Sequence, residues 1–166
     1  MSAPPFEGRA GLARAFTPSK KDFIMTDIRK FAVEETSILH LKDANDELMY
    51  ADGADGKPDT NKPIRIALYG PGSKKFAKVQ AANNNKLFTR LKKKGKEDQS
   101  AEDKAQESAE TLTQLTHSFE NIGYDTLAGE ALYKAVYLDT TIGFIATQVN
   151  AYLNDWANFT KASATN

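Results

Sequence analysis

The sequence predicts an α+β fold, a small N-terminal antiparallel sheet of about three strands followed by a bundle of about four helices. Residues 38–69 hold short alternating or β-branched runs separated by Asn, Asp, Gly and Pro, the pattern of strands joined by turns. From residue 73 onward apolar side chains recur every three or four positions, the period of helices buried along one face. The stretch 64–96, IRIALYGPGSKKFAKVQAANNNKLFTRLKKKGK, joins the two regimes, because a strand, a sharp turn and a basic helix follow one another in it.

A chain of 166 residues has material for one core and little room for a second. It contains no cysteine, which excludes disulfide scaffolds and thiolate zinc sites. No apolar run approaches the roughly 20 residues that cross a bilayer, so no membrane span is expected. Residues 1–24 scatter Pro4, Pro5, Gly8, Gly11 and Pro18 and lack the continuous apolar core of a secretory signal, so a cytosolic chain is expected. They read as a flexible N-terminal arm. Met25-Thr26-Asp27 looks like a natural start, which makes that arm an expected upstream extension of a single α+β domain over 25–160; residues 161–166 read as a disordered tail.

Taken in order, Ile38-Leu39-His40-Leu41 is a strand, Asp43-Ala44-Asn45-Asp46 supplies turn chemistry, and Glu47-Leu48-Met49-Tyr50 returns as the second arm of a hairpin. Residues 52–62, DGADGKPDTNK, read as a polar loop with nothing to bury. Residues 64–69 form the third strand, stopped by Gly70-Pro71-Gly72. Ser73 stands where an N-cap belongs, and a helix can run from it to Gly95. Phe76, Val79, Leu87 and Leu91, with Phe88 beside them, mark its apolar side, and Asn83-Asn84-Asn85 interrupts that stripe with weak helix formers, so a kink or a polar contact is expected there. Ser100 caps a second helix with Asp103 at the capping-box position. Its buried face is Ala101, Ala105, Ala109, Leu112, Leu115 and Phe119, and it ends near Gly123. A third helix covers about 127–138, and a fourth about 141–156 with Ile142, Ile145, Val149, Tyr152, Leu153 and Trp156 inward.

Charge is sorted along the chain. From Lys62 to Lys96 there are eleven basic residues and no acid, a net charge of +11, and from Glu97 to Glu130 there are nine acids against Lys104, a net charge of −8. The whole chain is neutral. An acidic helix folding back on a basic one can neutralise part of the field, and no aromatic platform interleaves the lysines, which argues against nucleic acid as the partner of helix 73–96. The expected reading is a solvated or internally paired charged face, and contact with an acidic protein partner through Lys74, Lys75, Lys78 and Arg90 is a further one.

The chemical motifs are sparse. Gly70-Pro71-Gly72-Ser73-Lys74-Lys75 follows a strand and opens a helix, but its glycines are two apart and Lys74 is not preceded by glycine, so a strand-to-helix turn is the better reading than a phosphate loop. Residues 52–59 place alanine at a position where a calcium loop needs a ligand, and no glutamate closes the loop. His40 and His117 are the only imidazoles and have no metal or triad spacing. No catalytic residue, cofactor or metal site is predicted. The most apolar stretch, 142–159, carries Phe144, Tyr152, Trp156 and Phe159, which serve either as core plugs or, if exposed together, as anchors for a partner.

A strand ending in LYGPGSKKFAKVQ, a basic RLKKKGK, an acidic SAEDKAQESAETL helix, an ALYKAVY helix and a closing GFIATQVNAYLNDWANF together resemble the small tail assembly chaperones of long-tailed bacteriophages, over residues 38–166. The resemblance implies a non-enzymatic protein of the infected bacterial cytoplasm that coats the tape measure protein, recruits tail tube subunits and self-associates into homo-oligomers. It assigns no role to any single residue. A minor structural protein of the virion tail and a nucleic-acid-binding accessory protein are the alternatives.

Overall fold

A computed structural model describes residues 25–93 and 99–161. The N-terminal arm, the helix end at Gly95 and residues 162–166 lie outside the described residues. Among the described residues five strands and four α-helices follow in the order β1 (Thr36–His40), β2 (Tyr50–Asp52), β3 (Pro58–Pro63), β4 (Arg65–Tyr69), α1 (Lys74–Lys93), α2 (Ala101–Leu115), β5 (Thr116–Glu120), α3 (Gly129–Leu138) and α4 (Gly143–Asn154). Short 3-10 turns at Ile28–Phe31, Thr140–Ile142 and Trp156–Phe159 complete the architecture. It is the mixed α+β arrangement expected, with the strands divided differently.

Strand β4 is the centre of a three-stranded antiparallel sheet ordered β1-β4-β5. Ile66 and Leu68 alternate with Arg65, Ala67 and Tyr69 along it and are fully buried, as the pleat requires. Apolar spacing predicts a second helix that reaches Gly123. Instead α2 ends at Leu115 and β5 begins at the next residue, pairing Ile66 with Phe119 and Arg65 with Glu120. Thr116 makes this abrupt change possible: its hydroxyl donates to Leu112 O at 2.8 Å, satisfying a carbonyl at the helix end, and lies 2.7 Å from the Tyr137 hydroxyl. No glycine, proline or loop marks the junction. Phe119, four residues after Leu115, therefore mimicked helical spacing.

The segments 38–41 and 47–50 do form a hairpin, with Met49 N donating to Leu41 O and Asp43 N to Glu47 O. The loop read over 52–62 is a second, two-stranded sheet, in which β2 and β3 pair Tyr50 with Pro63 and Asp52 with Pro58. Both strands are short and neither has a fully buried residue, so they carry no burial pattern to read.

Helices α2, α3 and α4 pack on one another, and their apolar faces meet the sheet in one core. Leu41, Ile66 and Leu68 from the sheet region join Ala109, Leu112, Leu115, Val136, Ile145 and Val149 from the helices. Helix α4 and the 3-10 turn after it are also tied to β1 and the residues that follow it by polar contacts. Ser37 Oγ donates to Asn158 O at 2.6 Å and lies 2.7 Å from the Tyr152 hydroxyl, and Gln148 exchanges two hydrogen bonds with the Lys42 backbone.

Candidate functional site

The glycine-rich turn after β4 is built for packing. A Cβ on Gly70 would lie within 2.7 Å of three ring carbons of Phe159, and one on Gly72 would meet Val33 Cγ2 at 2.5 Å. Ser73 is fully engaged as well: its hydroxyl donates to Gly70 O at 2.7 Å and accepts from Phe76 N at 3.1 Å, the N-cap the sequence predicts. Buried at 3% exposure, it has no surface to offer an anion.

Helix α1 then runs for 20 residues, about 30 Å, and only its first half is held by the core. Phe76 and Val79 pack inward, and Asn83 Nδ2 donates to Thr111 Oγ1 on α2 at 3.1 Å. This is the polar contact expected at the asparagine run; the helix itself is continuous. Beyond it every side chain from Asn84 to Lys92 is exposed, including Leu87 at 55%, Phe88 at 63% and Leu91 at 65%. Their spacing predicts these three on the apolar side of a packed helix. They lie outside because α1 and the N-terminal half of α2 form a finger that extends beyond the other elements, and Ala101 and Ala105 on α2 are exposed for the same reason.

The two sides of the finger are joined by charge. Arg90 grips Glu107 in a bidentate pair, with Nη1 donating to Oε2 at 2.9 Å and Nη2 against Oε1. Lys86 lies 3.9 Å from Glu110, which also accepts from Lys134 of α3 at 3.3 Å. The Lys134 hydrogen bond and charge, assisted by Lys86, hold the Glu110 carboxyl below its ordinary range. The open cleft between the helices, about 300 Å³, is lined by Lys86, Arg90 and Glu107 together with Leu87, Lys104, Ser108 and Thr111.

At about 100° per residue, α1 divides into three sectors. One, with Phe76, Val79, Asn83, Lys86 and Arg90, faces the core and α2. The second, with Lys74, Lys75, Lys78 and Lys92, is basic, and these four make no ion pair among the described residues. The third holds Ala77, Gln80, Ala81, Asn84, Leu87, Phe88 and Leu91, all exposed and none charged.

Of the predicted binding residues, Lys74, Lys75 and Lys78 are therefore displayed, whereas Arg90 is occupied by Glu107. The aromatic four do not form a common patch. Phe159 is a core side chain at 0% exposure, edge-on to Tyr152 at 5.6 Å, and Phe144 and Tyr152 are half-buried. Tyr152 has its hydroxyl committed to β1, and partial burial raises its pKa. Trp156 alone is exposed, at 57%.

The remaining candidates are structural. His40 Nε2 lies 2.9 Å from Met49 O and its ring stands edge-on to Tyr50; His117 stands edge-on to Tyr69. Residues 52–59 close the β2–β3 hairpin, with Asp55 and Asp59 accepting from the backbone N–H groups of Lys57 and Asn61. Among the described residues no group of three or more His, Cys, Asp or Glu could hold a metal ion, and no helix is long and apolar enough to cross a membrane. No protein-family model, curated protein or solved structure matches the chain.

Proposed function

We propose that this chain is a non-enzymatic assembly chaperone of the kind that serves long-tailed bacteriophages, holding the tape measure protein soluble in the infected cytoplasm and recruiting tail tube subunits to it. The observation that supports this reading is the α1–α2 finger, which carries Leu87, Phe88 and Leu91 into solvent next to Lys92, a lysine with no ion pair among the described residues. Large apolar side chains grouped on one exposed helix are an interaction surface waiting for cover. A long helical client offers the matching geometry, since helix-in-groove recognition uses anchors at this spacing.

Co-expression tests the proposal. The tape measure protein should stay soluble with this chain present and precipitate without it; precipitation in both cases would refute the proposal. Mass spectrometry of purified virions separates a chaperone, which leaves the particle, from a minor tail component, which stays.

A further inference from the structure

We infer that the uncharged sector of α1 is a docking seam for one α-helix of a partner, and that this helix carries acidic residues along the flank that meets Lys74, Lys78 and Lys92. The inference rests on the chaperone reading only for the partner's origin; the seam follows from the residues.

The exposed, uncharged positions 77, 80, 81, 84, 87, 88 and 91 repeat at intervals of three and four, the spacing of a helix-packing seam. Its far end is the most apolar part, where Leu87, Phe88 and Leu91 supply side chains large enough to enter the holes of a facing helix. Its near end, with Ala77 and Ala81, lets a partner backbone approach closely.

The neighbouring basic sector decides which helix fits. Lys74 and Lys78 are one turn apart, Lys92 falls on the same line near the far end, and no acid occurs anywhere on α1. A helix laid on the seam presents its own flank to this row, so Glu or Asp there gains and Lys or Arg is repelled. A dimer through two α1 seams fits poorly. Antiparallel pairing of two α1 seams sets like flank against like flank, bringing the two lysine rows together.

The experiment uses the full chain and synthetic amphipathic helical peptides about three heptads long, identical except for Glu, Gln or Lys at the flanking positions. Binding is read by fluorescence anisotropy at two ionic strengths. The Glu peptide should bind at least about tenfold more tightly than the Lys peptide, with the difference shrinking as salt rises. Leu87→Ser/Phe88→Ser/Leu91→Ser should abolish binding while the thermal melt is unchanged. Lys74→Glu/Lys78→Glu/Lys92→Glu should reverse the peptide preference. Equal binding of the three peptides, or binding that survives the serine variant, would overturn the inference. So would a dimer in analytical ultracentrifugation that the serine variant dissociates, or lysine-dependent binding of duplex DNA with none of the peptides. If the serine variant still solubilises the tape measure protein, the seam fails and the chaperone reading stands; if the Glu peptide binds but the client precipitates, the reverse holds.

Discussion

Replacing Gly70 by alanine isolates what the glycine-rich turn is for. The new Cβ would stand within 2.7 Å of three Phe159 ring carbons, whereas carbon atoms in contact prefer about 3.5–4.0 Å. The ring must therefore retreat by about 1 Å. It has little room to do so: Phe159 is fully buried, Tyr152 stands against it, and its carbonyl accepts from Glu34 N at 2.7 Å. Overpacking of this kind costs about 1–3 kcal/mol, so near the middle of that range the melting temperature should fall by about 4–8 °C. Gly70 is not in the left-handed region, so alanine fits its backbone. With the ring removed by Phe159→Ala, itself costing about 3–5 kcal/mol, the same Gly70→Ala change should become neutral or stabilising by up to about 1 kcal/mol. Melts of the four proteins give the coupling directly, and Phe159→Leu serves if the alanine variant no longer unfolds cooperatively. An equal cost of Gly70→Ala in both backgrounds would refute the steric explanation.

Tyr152→Phe removes the hydroxyl that links α4 to β1 and should cost about 1 kcal/mol, seen as a lower denaturation midpoint in urea. Arg90→Ala breaks a partly exposed pair and should cost under about 1 kcal/mol, and the difference from the parent should shrink in high salt. Asp139 is held below its ordinary pKa by the Thr141 hydroxyl and N–H and the Tyr124 hydroxyl, as Glu110 is by Lys134. A carboxyl with a lowered folded-state pKa stabilises the fold above its unfolded value and loses that contribution as pH falls through the folded one. Stability should therefore decline below about pH 4. Asp139→Asn and Glu110→Gln should each flatten that acid limb in melts taken across pH.

The elements that announce themselves locally were legible in the chain. Ser73 and Ser100 cap helices as their hydroxyls dictate, each accepting from the backbone N–H three residues on. The alternation of residues 65–69 marks the central strand. Strand β5 was hidden because its start carries no punctuation and its stability comes from pairing with residues some fifty positions earlier. The sequence also could not say which apolar helix residues face outward. Leu87 and Leu91 are spaced as core residues are, and only the position of the neighbouring elements decides that nothing covers them. One signal was present: the asparagine run marks where the packed half of α1 ends.

Leu68 and Thr116 face each other across the β4–β5 pair, so everything between them leaves and rejoins the sheet at one place. The hydrogen bond from Asn83 to Thr111 closes that excursion again, farther out. Whatever lies beyond this second closure could be lengthened by whole turns, trimmed or exchanged for another helical pair without shifting the residues that anchor it. The reach of the finger is thus a quantity that evolution, or a designer, can adjust like the shaft of an interchangeable tool while the handle stays the same.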